Sequence, residues 1–370
     1  MKKYILTTFA LLLLPTTTNA GYWDFNVNGL AGGYYGISHT KQKNPNPNRV
    51  VIRADASLKL DYIHNPNHKT GIHASTTLMY RQHDKNYQDG EYRFYPYFAD
   101  ISEYGEFYIG YTNNAAYTLH KGAKDITFLN IDDSNATYFL NNLNWNNGFK
   151  STLFATPKST AIMNDGKAPK ITYIKPLPED IKIGLSYTPD NAHRRGMVSR
   201  YVDYEGQEDG YTFALQKKWQ LENSTLYTSI GHGIFNGTDN ETSLGITWKY
   251  KNFNIASGYK KAYIDGHKNP ISTQRINSHL PAYFDNYRES TAWNISMGYK
   301  WDTFETNIAY LNTKAENTRH QDNLVLWSNI YHLDNNIDLF LTGAYLNTHG
   351  IENKDDNRGY GAIMGIGYKF

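Results

Sequence analysis

The chain runs to 370 residues, with 37 Lys+Arg, 35 Asp+Glu and no Cys. Charges that nearly cancel give no pull toward nucleic acid, and the lack of Cys excludes disulfides, thiolate metal sites and cysteine nucleophiles. A mean hydropathy of −0.64 beside 15% aromatic residues, with 32 Tyr and 7 Trp, does not describe a soluble core built on Leu, Ile and Val; Tyr at this level suits side chains that meet apolar and polar surroundings together.

Residues 1–20 read as a cleavable export signal. Lys2 and Lys3 precede a nearly unbroken apolar run from Tyr4 to Leu14, Pro15 stops it, and Thr18-Asn19-Ala20 forms a small-residue cleavage site ahead of Gly21. A spanning helix wants about 20 apolar residues, so this run is too short to be one, and no later stretch approaches that length. Removal takes two basic residues and leaves 35 Lys+Arg against 35 Asp+Glu, so the mature chain, 21–370, is formally neutral.

From there the apolar period is two, the signature of strands with opposite faces in different surroundings. Trp23, Phe25 and Val27 alternate with Asp24, Asn26 and Asn28. Ile52, Ala54, Ala56, Leu58, Leu60 and Tyr62 share one face, and Arg53, Asp55, Ser57, Lys59 and Asp61 the other. Ile72, Ala74, Thr76, Leu78 and Tyr80 repeat the pattern against His73, Ser75, Thr77 and Arg81. It recurs down to Ile337/Leu339/Leu341/Tyr345, in segments of about ten residues, the length a tilted barrel strand needs to cross a bilayer.

Predicted strands are 22–38, 50–62, 69–82, 91–102, 104–111, 170–176, 180–188, 210–220, 223–235, 240–250, 252–263, 291–301, 303–313, 322–332, 336–347 and 359–370. Connections alternate between short turns, as at Lys251-Asn252 and Asp302-Thr303, and longer polar ones, as at Thr40–Arg49, Gln82–Gly90, Pro189–Asp209, Asp265–Ser290 and Thr348–Arg358. That alternation belongs to a transmembrane antiparallel β-barrel. The outward faces are too apolar for water and the inward faces too polar for a core, and closure leaves no unpaired edge in lipid. The count is sixteen. Should Asn135–Trp145 and Phe149–Ala155 form another pair, it becomes eighteen; the stretch 112–169 alternates poorly and is crowded with Asn, which favours one long loop.

Three segments resemble Gram-negative porins, and in their motifs the alphaproteobacterial outer-membrane porins most. Gly105–Gly110 (GEFYIG) followed by Ala115–His120 (AAYTLH) is similar to a fifth strand entering the long third loop. Lys170–Pro176 (KITYIKP) with Ile181–Asp190 (IKIGLSYTPD) is similar to the strand pair that follows that loop. The last strand, Gly359 to Phe370, ends in Phe with Tyr368, Ile366 and Met364 spaced by two. The third loop departs from the family in lacking a Pro-Glu-Phe run and in its length. The resemblance implies a cell outer-membrane channel for passive diffusion of small hydrophilic solutes and ions, a homotrimer in outer-membrane lipid. It further implies that Met364, Ile366, Tyr368 and Phe370 are the signal read by the barrel assembly machinery. The third loop of such porins narrows the lumen, with acidic residues facing a basic wall, and clefts lined by charge focus fields and set permeability. By position, Arg53, Lys59, Arg81 and Arg93 are candidates for the basic wall, and Glu106, Asp125, Asp132 and Asp133 for the acidic side.

Other readings stay open beside the general channel: a sugar- or anion-selective channel, and a structural or adhesive barrel with a plugged lumen. Small residues on the outer faces of the early strands, Gly29, Ala31, Ala54, Ala56 and Ala74, permit close packing between barrels. An enzyme is not expected: His73 and Ser75 share a face, but no third group is placed to orient them. No cofactor and no nucleic-acid partner is expected. His64 and His68 flank a turn at Pro66, and Asp132-Asp133 and Asp355-Asp356 lack the spacing of a calcium loop.

Overall fold

A computed structural model describes residues 21–40, 48–82, 88–123, 137–140, 159–163, 165–190, 209–235, 237, 239–264, 288–316, 319, 321–349 and 356–370. The expected export signal, residues 1–20, lies outside the described residues. Period-two alternation produces sixteen strands: β1 Tyr22–Thr40, β2 Asn48–Asn65, β3 His68–Gln82, β4 Gln88–Ser102, β5 Gly105–Tyr111, β6 Pro169–Leu177, β7 Ile181–Thr188, β8 Gly210–Gln220, β9 Ser224–Phe235, β10 Asp239–Tyr250, β11 Phe253–Ile264, β12 Arg288–Lys300, β13 Phe304–Ala315, β14 Gln321–His332, β15 Ile337–His349 and β16 Asn357–Lys369. Each pairs antiparallel with its chain neighbours, and β1 pairs β16 from Leu30 opposite Lys369 to Thr40 opposite Gly359, which closes the barrel. Sixteen strands is the count; Thr137–Leu140 is a short helix, and the rest of the postulated extra pair falls outside the described residues.

The short turns gather at one rim. Glu179 and Asp180 both take positive φ, 62° and 58°, and reverse the chain between β6 and β7. Several strands run further into the polar connections than the sequence predicts: β1 continues to Thr40, β4 starts at Gln88 and β12 at Arg288. The hairpin ladders continue there because backbone pairing does not need an apolar face. Alternation sorts the side chains as expected along β2, where Ile52, Leu58 and Leu60 are exposed on the outer face while Val51 and Asp61 are buried. Among the described residues no helix is long and apolar enough to cross a membrane, and here strands do so.

The inward face is not uniformly polar, contrary to the sequence reading. Leu311, Leu324, Leu326, Ile330, Phe340, Ala344, Leu346 and Ile363, from β13 to β16, form a buried apolar cluster with Tyr34 and Val51 on the inner wall. Into it packs the helix α2, Thr137–Leu140, through Phe139 and Leu140. A second cluster joins Ile174, Ala214 and Phe235 of β6, β8 and β9 to Ile162 and to the helix α1, Ala115–Leu119. Burying a side chain of the Leu, Ile or Phe class is worth roughly 1.5–3 kcal/mol, so the third loop is held to two opposite stretches of wall.

Candidate pore lining

The long loop leaves β5 through Gly110, whose φ of 128° and close approach to the Pro96 carbonyl leave no space for a Cβ. Asn114 then caps α1: its Oδ1 accepts from the Tyr117 N–H at 2.7 Å, and its Nδ2 donates to Asp165 Oδ1 at 2.7 Å and to the Ile162 carbonyl at 3.2 Å. One buried Asn thus starts the helix and ties the loop's outgoing leg to its return leg. The small face of α1 fits the wall because Gly184 and Gly231 oppose Ala115 and Ala116.

Two ion pairs fix the return leg. Lys170 Nζ lies 3.1 Å from Asp165 Oδ2, both side chains wholly buried, and donates to the carbonyls of Thr112 at 2.9 Å and Gly166 at 2.7 Å. Thr188 Oγ1 donates to Asp165 Oδ2 at 2.8 Å, which completes the satisfaction of that carboxylate. Further round the wall, buried Lys260 donates to the Ala161 carbonyl at 2.9 Å and to Glu241 at 3.2 Å, and Glu241 accepts from the Met163 N–H at 3.1 Å. Asn294 on β12 donates to Thr160 and accepts from the Ala123 N–H. The loop therefore follows the wall from β6 to β12, and α2 meets β15, β16 and β1. Phe139 occupies the space above Gly36, and Leu140 that above Gly361.

The inner faces of β6 to β16 are buried through most of their length, whereas the middle of β2 to β4 keeps half-exposed polar side chains. Arg53 is 25% exposed and bonds Asp55 through Nε at 2.6 Å and Nη2 at 3.2 Å. Thr77 Oγ1 donates to Asp55 at 2.6 Å. Lys167, on the return leg, sets its Nζ 4.5 Å from the centroid of the Tyr95 ring. Burial pushes the Lys167 ammonium below the ordinary lysine range; Arg93, Arg53 and Lys170 push the same way, and Asp55 opposes them. Nearer the short-turn rim, Asp61 shares a 2.6 Å hydrogen bond with His73 and accepts from Lys69 at 3.0 Å.

A family model described as Gram-negative porin matches residues 21–350. The chain belongs to the Gram-negative porins. In structure this porin is similar to Salmonella typhi OmpF in its complex with daunomycin, at 11% identity over 94% of this chain and 97% of that one, with a TM-score of 0.61. It is similar to the outer-membrane channel DcaP of Acinetobacter baumannii at 11% identity over 97% and 100%, TM-score 0.60, and to an anion-selective porin from Comamonas acidovorans at 8% identity over 94% and 100%, TM-score 0.54. At such identities the likeness shows the fold. No curated protein matches the sequence. A closed barrel of this family resides in the outer membrane, and its framework is that of a channel rather than an enzyme.

Of the residues named from sequence, Arg53 and Lys59 lie on the lumen side of β2, Arg81 on β3 and Arg93 on β4, in one stretch of wall. Glu106 lies apart on β5, where it accepts from Tyr108 at 2.7 Å and from Lys182 at 3.2 Å. Asp125, Asp132 and Asp133 lie outside the described residues. Sequence reasoning missed Lys167 and the Asn114–Asp165–Lys170 knot. The available signal was the pair Asp165 and Lys167 immediately before Pro169, charges placed where the chain returns to the wall.

Proposed function

We propose that this porin forms a water-filled channel for passive diffusion of small hydrophilic solutes and ions, narrowed by its third loop. The observation that carries this reading is the contrast in the lumen: the loop and apolar clusters cover the wall from β6 to β16, while β2 to β4 keep polar, half-exposed side chains. Polar groups left half-exposed inside a barrel are solvated rather than buried unpaired. Arg53, Lys59, Arg81 and Arg93 are the basic wall of that passage, with Asp125, Asp132 and Asp133 of the third loop as its acidic side; Glu106, bonded by Lys182 and Tyr108 on β5, lies outside it.

The working form is a homotrimer. Ala31, Ala54, Ala56 and Ala74 make a low outer surface across β1 to β3, beside Gly29, which the Phe370 ring covers, and small residues let spanning elements approach closely. Residues 1–20 direct export and are removed, and the terminal strand serves the barrel assembly machinery. The alphaproteobacterial affinity is supported by Gly105–Gly110 and Lys170–Pro176. Planar-bilayer recording of the purified protein tests the proposal: stepwise conductance supports it, and a membrane left electrically silent contradicts it in favour of a plugged structural barrel.

A further inference from the structure

The seam that closes the barrel is shorter than the ladder beside it. β1 pairs β2 from Tyr22, opposite Ile63, through to Ile37. It pairs β16 only from Leu30, opposite Lys369, with a last pair of backbone hydrogen bonds between Gly29 and Phe370. Tyr22–Asn28 is therefore a length of strand with one neighbour, and among the described residues no backbone pairs with its other edge. An extended strand turns the N–H and C=O of every second residue to the same side. Gly29 turns both of its groups to Phe370, so Val27, Phe25 and Trp23 turn theirs to the open side, while Asn28, Asn26 and Asp24 turn theirs to β2.

This edge stands at the short-turn rim, the periplasmic end of such a barrel. Trp23 meets Tyr62 with ring centroids 5.2 Å apart, and Tyr62 leads on to His64 and His68 about the β2–β3 turn. Unpaired backbone is not tolerated in hydrocarbon, and strand edges in water are ordinarily blunted by Lys, Pro or a bulge. Tyr22–Asn28 holds neither Lys nor Pro, and its register with β2 is unbroken. Its outer face presents Trp23, Phe25 and Val27, all exposed. Its inner face places Asp24 directly opposite Asp61, and like charges so placed repel. Lys69 and His73 compensate Asp61, whereas among the described residues no cation pairs with Asp24.

We infer that the Tyr22–Asn28 edge is a docking site for an extended polypeptide segment on the periplasmic side, which adds antiparallel to β1 in line with β16. The segment's backbone supplies the partners that Trp23, Phe25 and Val27 lack. Its alternate apolar side chains lie along theirs, and a Lys or Arg among the intervening residues meets Asp24. Main-chain bonds give a site of this kind its affinity, and alternate side chains its selectivity. A second copy of the chain would offer only the same edge, which carries no cation to meet Asp24. The inference concerns the rim of the barrel and is independent of conductance.

The test uses the refolded barrel in detergent and a fluorescein-labelled peptide that alternates Val with Thr and one Lys, followed by anisotropy. Wild type should bind it. Hydrogen exchange at the Trp23, Phe25 and Val27 amides should be fast in the free protein and slow on binding, with the Asp24 and Asn26 amides slow throughout. Phe25→Pro removes one open-side N–H while sparing the β2 ladder, the setting in which strands accept Pro. It should weaken binding roughly tenfold, the effect of losing one backbone hydrogen bond with its acceptor left unpaired. Asp24→Asn, or Glu in place of Lys in the peptide, should weaken binding as well. The peptide N-methylated at its Val residues should not bind wild type, which decides the matter if Phe25→Pro does not fold. No binding by wild type, or undiminished binding by Phe25→Pro and by the N-methylated peptide, overturns the inference. Slow exchange at Trp23, Phe25 and Val27 in the peptide-free protein overturns it too, with a second copy as the occupant where dissociation of oligomers restores fast exchange.

Discussion

Gly29 and Phe370 exchange both backbone hydrogen bonds across the seam that closes the barrel, Gly29 N–H to the Phe370 carbonyl at 2.8 Å and Phe370 N–H to the Gly29 carbonyl at 3.1 Å. The Phe370 ring lies over Gly29, where a Cβ would meet it at 2.5 Å. The last residue of the chain is therefore the last rung between β1 and β16. It is also outward-facing, in line with Tyr368, Ile366 and Met364.

Deleting Phe370 separates two roles. A missing rung and one missing lipid-facing ring cost a finished barrel a few kcal/mol at most, roughly 1.5–3 of it from the ring. The loss of an assembly signal is felt only in cells. Outer-membrane yield should fall severely while the variant still refolds in detergent. Full yield of heat-modifiable barrel in the outer-membrane fraction would refute the signal role.

Oligomer formation should fail when the low outer surface is raised. Ala54→Trp and Ala56→Trp place a large ring between β1 and β3 on the outer face without touching the lumen. Light scattering in detergent should report a trimer for the wild type and a monomer for the variants. A wild type that is monomeric under every mild extraction removes the trimer from the account.

The loop anchor is tested at Asp165. Asp165→Ala leaves Lys170 buried without its carboxylate, a loss of the kind that costs about 3–5 kcal/mol, and frees Asn114 and Thr188 as well. We expect a lower denaturant midpoint and a larger, noisier conductance as the return leg detaches. Asp165→Leu combined with Lys170→Met should recover part of the stability, since an apolar pair of similar volume often replaces a buried ion pair without loss. Wild-type stability and conductance in Asp165→Ala would show that the knot does not hold the loop.

Neutralising Asp125, Asp132 and Asp133 together should move the reversal potential toward anions while the barrel remains folded. These residues belong to the third loop and are assigned to its acidic side. A reversal potential identical to wild type excludes them from the lining.

Much of the barrel is legible in the sequence because lipid outside and water inside impose different demands on alternate residues. The short turns, the sixteen strands and the outward aromatic residues follow from that alternation. The inward apolar cluster was harder to read, although Leu324-Val325-Leu326-Trp327 and Leu339-Phe340-Leu341 are continuous apolar runs, the mark of strands covered on both faces. The period alone puts Leu339 and Leu341 on one face and says nothing of Phe340 between them. The knot among Asn114, Asp165 and Lys170 was not readable because its members meet only when a loop of some fifty residues folds back on itself. That Arg53, Lys59, Arg81 and Arg93 share one face of β2 to β4 is readable from strand parity, whereas the position of Lys167 depends on the path of that loop.

The third loop covers one part of the lumen wall and leaves a passage against β2 to β4, and accessibility along the lumen tests this most directly. The chain has no Cys, so single cysteines report the passage without background. Ser57→Cys on β2 and Ser75→Cys on β3 replace half-exposed lumen residues, and Ser328→Cys on β14 and Thr342→Cys on β15 replace buried ones that bond each other at 3.1 Å. Conductance is recorded while a membrane-impermeant charged methanethiosulfonate is added. Rapid block and labelling at 57 and 75, with slow or no reaction at 328 and 342, is the predicted result; equal reaction at all four positions, or reaction confined to 328 and 342, would contradict it.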